Sequence, residues 1–350
     1  MTQVLQRFPG MPDVLYAYAF PRWKWPVVRQ CFANAEVFFV ESGDPIPSGV
    51  WLLMWGRAEV PAELPVPARV LRMEDGFLRS VGLGAELVRP LSWVVDGRAI
   101  YYDATAPSDL EYILANHDFD GAFCQRAAVL RERIVKARLS KYNVGAEVWH
   151  RPAHAKHVIL VPGQVESDAS LAFGAPGERS NMGLLRSVRA ENPNSYVIYK
   201  PHPDVIARLR KEGVGEQTAL NWCDEVIQDV SMGDLLPQVD AVHVLTSLSG
   251  FEALLHGKEV TCYGQPFYAG WGLTSDRIPP VRRQRRLTLD ALVAGALIEY
   301  PLYLSRDGLR LITAEEAVTS LETWRSIRGM HVRWWQRIVR VFLRLLIGVR

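Results

Sequence analysis

The sequence predicts an α/β protein with two Rossmann-like, doubly wound domains that face each other across a cleft. Short apolar runs alternate with helical segments in the first half of the chain, and the same alternation returns in the second half. Between the halves lies an irregular stretch that contains Gly145 and Pro152. We therefore expect one domain over residues 1–150, a second over 151–310, and C-terminal helices over 311–350.

The composition is typical of a globular protein. Of the 350 residues, 49% are hydrophobic and 22% are charged, which excludes a disordered or fibrous chain. The net charge of +2 gives no general reason to expect nucleic acid as a partner. The length is sufficient for two ordinary domains.

The cysteines indicate a reducing compartment. They are far apart and form no metal-binding pattern: Cys31, Cys124, Cys223 and Cys262. We expect neither a disulfide framework nor a zinc site, and a cytoplasmic location. The N-terminus lacks the long apolar core of a signal peptide, and no run of about 18 apolar residues predicts a membrane span.

Short apolar runs rich in β-branched residues predict the strands. In the first half they lie at residues 14–20, 36–40, 50–54, 69–73 and 92–95. In the second half they lie at residues 158–162, 196–199, 225–227, 241–245 and 259–263. Helices are expected at residues 23–35, after the candidate caps Ser108 and Asp109, and at 121–140 and 182–190, and residues 246–255 are expected to form a loop that leads into a helix. Asp96-Gly97 predicts a hairpin that joins the strand at 92–95 to another at 99–102.

The buried run at 158–162 is followed by a dense set of polar side chains: Gln164, Glu166, Asp168 and Ser170. In open α/β sheets the carboxyl ends of strands face the ligand crevice, so these side chains are expected in a site. The alternative is a solvated loop that caps a helix.

The next strand runs into Lys200-Pro201-His202-Pro203. The prolines restrict the backbone around His202 and bias Lys200 toward an extended conformation, so both side chains should be held in place. A cation and an imidazole there suit a phosphate group, or an acid toward a leaving phosphate. A structural histidine is the alternative.

Hydroxyl side chains precede the helix predicted near residue 250. Thr246, Ser247 and Ser249 lie where free amides and the helix dipole favour phosphate, although serine and threonine also serve as plain helix caps. Glu252, one turn further, is placed either to reach ribose hydroxyls or to act as a capping-box glutamate.

Carboxylates from the two halves are expected to meet across the cleft. Glu74 and Asp75 follow a strand of the first half, and Asp168 follows one of the second. Such pairs serve glycosyl chemistry, in which one attacks an anomeric carbon and the other takes a proton from the acceptor hydroxyl. Metal binding is the competing interpretation. We rank it lower, because the acids lack a DxD spacing and a neighbouring histidine, and we predict no metal.

Six separated motifs carry a family resemblance: Glu74–Ser80, Tyr101–Asp103, Val161–Ser170, Tyr199–Asp204, Thr246–Glu252 and Pro266–Gly272. Together, in this order, they resemble the KpsC-type capsular polysaccharide β-Kdo transferases. They are similar, more distantly, to the Kdo transferase module of WbbB-type O-antigen synthases. The resemblance covers roughly residues 65 to 275.

The resemblance implies a GT-B-like glycosyltransferase that uses CMP-β-Kdo, needs no cofactor and retains the anomeric configuration. It implies double displacement through an aspartyl-Kdo adduct, with Asp168 as the nucleophile and Glu74 or Asp75 near the acceptor or as acid/base. The implied CMP-binding residues are Lys200, His202, Thr246, Ser247 and Glu252. Further implied binding residues are Arg79, a candidate for the Kdo carboxylate, and Gln164, Ser170 and Gly250.

This chain departs from the KpsC pattern in size, because those proteins generally contain two catalytic modules and this one has length for one. We therefore expect a single linkage, or one step shared with a partner capsule-assembly transferase, on a lipid-linked or polysaccharide acceptor. One alternative donor is another CMP-activated 2-keto sugar acid such as a sialic acid. Another alternative is a non-catalytic capsule assembly or export factor.

The C-terminal segment is basic and amphipathic. Arg333, Arg337, Arg340 and Arg344 recur at helical spacing, with Trp334, Trp335, Ile338, Phe342, Leu345 and Leu346 largely on the remaining faces. Such a helix suits the anionic inner leaflet of a membrane, so we expect peripheral association with the inner membrane. A terminal helix packed on the N-terminal domain is the alternative.

Overall fold

The computed structural model describes residues 7–82, 88–143, 145, 147–308 and 310–329. Within them the strands, numbered β1 to β13 in chain order, are Val14–Tyr18, Glu36–Val40, Trp51–Trp55, Arg69–Asp75, Ser92–Asp96, Val158–Pro162, Tyr196–Lys200, Glu225–Val226, Ala241–Val244, Glu259–Cys262, Ser275–Asp276, Pro301–Leu304 and Leu311–Ile312. The helices α1 to α10 are Trp25–Cys31, Asp109–Asn116, Gly121–Lys136, Ala169–Gly174, Asn181–Glu191, Pro203–Ile206, Met232–Leu235, Leu248–Leu255, Leu289–Val293 and Ala314–Gly329. Shorter 3-10 turns lie at Arg22–Lys24, Glu216–Asn221 and Leu236–Gln238, and a π-helical turn at Ala294–Glu299 continues α9.

The second sheet has six parallel strands in the order β11-β10-β9-β6-β7-β8. All five residues of the central strand β6 are buried, which explains why that segment is apolar throughout rather than alternating. Since β9 and β7 flank β6, the carboxyl ends of these three strands are adjacent. The predicted site segments after residues 162, 200 and 245 therefore leave the sheet side by side.

The first sheet has seven strands in the order β13-β12-β5-β4-β3-β1-β2. The strands from β2 to β4 pair in parallel, whereas β5, β12 and β13 pair antiparallel. The fold class is therefore α/β, with one parallel sheet and one mixed sheet whose parallel part is formed by β1 to β4. Strand β4 continues through Glu74 and Asp75, which the sequence analysis assigned to the loop after it.

The predicted hairpin at Asp96-Gly97 is wrong. Residues 99–102 form a turn, because the Asp96 carboxylate accepts hydrogen bonds from the backbone N–H groups of Arg98 and Ala99, at 2.9 and 3.0 Å. Its other oxygen accepts from the Asp109 backbone N–H, at 2.9 Å, and so ties the turn to the start of α2. Strand β5 pairs with β4 and β12 instead.

The chain returns to the first sheet near its end. Residues 301–304, which the sequence analysis grouped with the second domain, pair antiparallel with β5, and β13 pairs with them. Helix α10 then lies along α3, where Arg133 pairs with Glu322. The predicted basic helix over the last twenty or so residues lies outside the described residues.

One hydrophobic core spans both sheets. Phe77, which follows β4, stacks on Phe267, which follows β10, with ring centroids 4.6 Å apart. Phe251 of α8 packs against Phe267 at 5.2 Å. These contacts hold the carboxyl ends of the two sheets together. No helix in the described part of the chain combines the length and apolar character needed to cross a bilayer.

Candidate active site

A cleft of about 900 Å³ is lined by residues from both sheets. It collects eleven of the twelve side chains predicted to act there: Glu74, Asp75, Arg79, Gln164, Asp168, Ser170, Lys200, His202, Thr246, Ser247 and Glu252. Glu74 and Asp75, from β4, and Asp168, from the loop after β6, line the same cleft, and a close meeting of their carboxylates stays a prediction.

Asp168 occupies the N-cap position of α4, but its carboxylate makes no capping hydrogen bond. The side chain is half-buried and lines the cleft instead. Burial raises the pKa of Asp168, while the nearby charges of Arg210 and Lys141 oppose that rise. The loop thus presents on the cleft a carboxylate that is not used to cap the helix, and such a group is a candidate nucleophile.

Hydrogen bonds between Gln164 and Thr246 join the loops that follow the adjacent strands β6 and β9. The Gln164 Nε2 group donates to Thr246 Oγ1 at 3.0 Å, and Gln164 Oε1 accepts from the Thr246 backbone N–H at 2.9 Å. Both polar ends of the amide are therefore used within the protein. Gln164 acts here as a positioning residue for the loops after β6 and β9. Glu166, from the same loop, turns away and accepts from the backbone of Asn181 and Val214.

Lys200 and His202 are held as the flanking prolines predict. Lys200 Nζ donates to the Gln228 carbonyl at 2.9 Å, and burial lowers its pKa to about 8. His202 Nδ1 accepts from the Asp204 backbone N–H at 3.2 Å, so the proton of the neutral ring lies on Nε2. Burial, then the charges of Lys141, Arg210 and Lys200, lowers the pKa of His202 to about 3. His202 is therefore a neutral hydrogen-bond donor, not a ready source of a proton.

Glu74 and Asp75 lie in different environments at the end of β4. Asp75 Oδ2 accepts from Arg79 Nε at 2.6 Å, and its Oδ1 is buried without a hydrogen-bond partner among the described residues. Burial, reinforced by the Asp75 charge, raises the pKa of Glu74 to about 7. Arg79 is thus committed to Asp75 and also donates to Ser80 Oγ, at 3.0 Å. Arg79 lines the cleft, and its predicted part in binding a carboxylate of the substrate stays a prediction.

Ser247 and Glu252, two predicted site residues at the helix after β9, make different kinds of contact. Ser247 is the N-cap of α8 and accepts from the Ser249 backbone N–H at 3.2 Å, so the plain capping interpretation holds beside its place on the cleft. Glu252 Oε1 accepts from the Lys141 backbone N–H at 2.6 Å, which is not a capping box. Burial raises the pKa of Glu252 to about 7.

Gly250 is the predicted site residue that does not line the cleft. It packs inside α8, where an added Cβ would lie 2.3 Å from the Tyr268 hydroxyl. The absence of a side chain at this position therefore serves close packing of the helix on the segment after β10.

Five charged residues on the cleft were not predicted from the sequence: Lys24, Lys141, Asp204, Arg210 and Asp229. Asp204 Oδ1 is buried without a hydrogen-bond partner in the described structure, and burial raises the pKa of Asp204. Asp204 belongs to a motif that the sequence analysis quoted, so its position beside His202 was a usable signal. Lys24 and Lys141 lie outside all six motifs.

A metal site is not apparent in the residues that the structure describes, where no group of three or more His, Cys, Asp or Glu side chains is arranged to hold an ion. The four cysteines are free, and Cys31, Cys223 and Cys262 are buried.

Comparison with known proteins decides the family. The family model described as "Capsule polysaccharide biosynthesis protein" matches residues 62–144 and 122–305. The chain belongs to this family. Among curated members, LipA of Neisseria meningitidis serogroup B, a "Capsule polysaccharide modification protein", is 44% identical over 333 residues, 91% of this chain and 47% of LipA. LpsZ of Rhizobium meliloti, a "Lipopolysaccharide-processing protein", is 38% identical over 309 residues, 83% of this chain and 70% of LpsZ.

Two solved structures share the architecture. The Thermosulfurimonas dismutans KpsC β Kdo 2,7 transferase superposes with a TM-score of 0.75 and 40% identity, over 89% of this chain and 99% of that one. The β Kdo 2,4 transferase of the same organism's KpsC gives a TM-score of 0.74 and 30% identity, over 91% and 99%. These matches confirm the resemblance predicted from the six motifs. The chain spans about half the length of the LipA proteins it matches.

Proposed function

We propose that this chain is a glycosyltransferase that moves Kdo from CMP-β-Kdo to a hydroxyl of a surface glycan or glycolipid and retains the anomeric configuration. The observation that carries the proposal is the presence of Asp168 and Glu74 on one cleft, in a fold shared with two β-Kdo transferases. A carboxylate that makes no capping hydrogen bond and a carboxyl with a raised pKa suit the two roles that double displacement requires.

In the first step, an Asp168 carboxylate oxygen bonds to the anomeric carbon of Kdo while the bond from that carbon to the phosphate oxygen breaks. CMP leaves with the electron pair of the broken bond. The charges of Lys141 and Arg210 favour the ionised form of Asp168 in its partly buried position, because they oppose the rise in its pKa that burial causes.

Residues at and after the ends of β7 and β9 are placed to bind the departing nucleotide. His202 offers an Nε2–H donor and Lys200 offers a cation, while Ser247 stands at the start of α8, where free amides favour phosphate oxygens. Because the pKa of His202 is about 3, it stabilises the phosphate by donating a hydrogen bond rather than by transferring a proton.

In the second step, the acceptor oxygen attacks the anomeric carbon, and its bond to Asp168 breaks and restores the carboxylate. Glu74 takes the proton of the acceptor hydroxyl. A carboxylate whose pKa is about 7 is suited to this, since it is partly ionised at neutral pH yet basic enough to hold a proton. Two displacements at one carbon give net retention.

The acceptor side of the proposal follows from the family. A capsule or other surface-glycan acceptor, lipid-linked or polysaccharide, is consistent with the names of the relatives. The module described here would form one linkage, or share the work with a partner transferase. The GT-B-like arrangement and peripheral attachment to the inner membrane through the basic C-terminal segment belong to the same proposal.

Release of CMP and formation of a Kdo-containing product test the proposal. The purified chain is incubated with CMP-Kdo and candidate acceptors, with and without CMP-sialic acid as a competing donor. We expect Kdo transfer that CMP-sialic acid does not replace. Transfer of sialic acid in preference to Kdo would instead identify the donor as the alternative CMP-activated 2-keto acid. Transfer of neither sugar, by a folded chain that binds acceptor glycan, would favour the non-catalytic assembly factor.

A further inference from the structure

Lys24 is a buried cation that faces the cleft, and its side chain has no polar partner among the described residues. It ends the 3-10 turn Arg22–Lys24, and only 7% of its surface is exposed. Its side chain lines the cleft but makes no hydrogen bond or ion pair with any residue in the described part of the chain. The Trp23 ring lies 5.1 Å from its Nζ, and the Trp55 ring is also in contact.

An ammonium in this setting is costly unless something pairs with it. Aromatic faces offset only part of the loss of water around a cation. Burial accordingly lowers the pKa of Lys24 to about 8, while the charges of Asp75 and Glu74 oppose that change. The ammonium is therefore still mostly protonated at neutral pH, and the cleft is the side from which a partner can reach it.

Arg79, another buried cation on the cleft, differs from Lys24 because its charge is already paired. It is equally buried, with 3% of its surface exposed, but its guanidinium is paired with Asp75 at 2.6 Å and bonded to Ser80. A ligand anion that used Arg79 would have to compete with a carboxylate already in place. The Lys24 side chain has no such ion pair or hydrogen bond within the described structure.

We propose that Lys24 binds the carboxylate of a sugar acid in the cleft. The ammonium supplies charge-assisted donors to the carboxylate, and the two indole rings supply apolar faces for the C–H surface of the sugar. This rests on the proposed function and gives Lys24 the part that the sequence analysis gave to Arg79. The sugar acid is either the Kdo of the donor or an acidic sugar of the acceptor.

The first experiment measures binding by calorimetry with free Kdo and its methyl ester. The wild-type chain should bind Kdo more tightly than the ester, and Lys24→Met should weaken Kdo binding by about 10- to 100-fold and abolish the preference. Lys24→Arg should retain part of it. Lys211→Met, which removes an exposed lysine outside the cleft lining, should behave as wild type. Melting temperatures show whether each variant is folded.

Equal binding of Kdo by wild type and a folded Lys24→Met variant overturns the proposal. So does equal binding of Kdo and ester by the wild type, or no binding of Kdo at millimolar concentration.

Kinetics then identify the source of the carboxylate. Slower release of CMP from CMP-Kdo without acceptor in Lys24→Met assigns the donor. Unchanged release with a raised KM for a carboxylate acceptor, but not for its amide, assigns the acceptor. If Kdo binding depends on Lys24 yet no Kdo is transferred, the proposed function fails and this inference stands.

Discussion

The Glu74 carboxyl should control how the transfer rate depends on pH. As the base that accepts the proton of the acceptor hydroxyl, Glu74 works only when ionised. Its pKa is raised, so ionisation is lost as the pH falls through the raised value rather than through the ordinary one. The rate should therefore fall on the acidic side well above the range in which an exposed glutamate titrates.

The size of this effect follows from the value of about 7 for the pKa of Glu74. About half of the molecules have Glu74 ionised at pH 7, about one-tenth at pH 6 and about one-hundredth at pH 5. A glutamate with an ordinary pKa would still be mostly ionised at pH 5. The rate at pH 5 should thus be roughly one-fiftieth of the rate at pH 7.

The assay is kcat/KM for acceptor from about pH 5 to 7, where Lys24 and Lys200, each with a pKa of about 8, stay mostly protonated. Glu74→Gln should lower the rate by about 10²- to 10⁴-fold and flatten the acidic limb. Asp75→Asn removes the charge that helps to raise the pKa of Glu74, so the limb should move to lower pH. Asp168 also titrates as an acid, but the charge of Asp75 is not among the causes that shift its pKa, so Asp75→Asn should not move its titration. A limb that Glu74→Gln and Asp75→Asn both leave in place would refute the assignment.

Three further substitutions have distinct expected outcomes. Asp168→Asn should abolish Kdo transfer while CMP still binds, measured by calorimetry, and near-normal turnover would exclude it as the nucleophile. Gln164→Leu leaves the N–H and hydroxyl of Thr246 unpaired, so urea unfolding should show a loss of about 1–3 kcal/mol, and unchanged stability would contradict the positioning role. Gly250→Ala places a Cβ against Tyr268 and should cost about 1–3 kcal/mol through overpacking, whereas an unchanged melting temperature with lost CMP binding would point to a binding role.

The sequence was most informative where burial was complete. Strand β6 is apolar at every position because both of its faces are covered, so the run itself predicted the strand and the polar loop after it predicted the site. Prolines on either side of His202 likewise fixed a local conformation that the rest of the fold does not alter.

Contacts between residues far apart in the chain could not be predicted from local sequence patterns. Lys24 lies in the segment Arg22-Trp23-Lys24-Trp25, which reads as a polar helix start, and the ring that helps to bury it comes from Trp55, about thirty residues away. The Asp96-Gly97 pair favours a hairpin locally, but the Asp96 carboxylate binds the turn and the start of α2 instead. The return of residues 301–304 to the first sheet depends on pairing with β5, which no local pattern encodes.

The intact mass of the protein after incubation with CMP-Kdo, without acceptor, tests the central claim most directly. If Asp168 attacks the anomeric carbon, the wild-type chain should gain the mass of one Kdo residue, and Asp168→Asn should not gain it by the same route. Glu74→Gln should still gain it, since the second step alone needs that base. A wild-type chain that turns over CMP-Kdo with no adduct under rapid quenching, or an adduct attached to another residue, would contradict the double displacement.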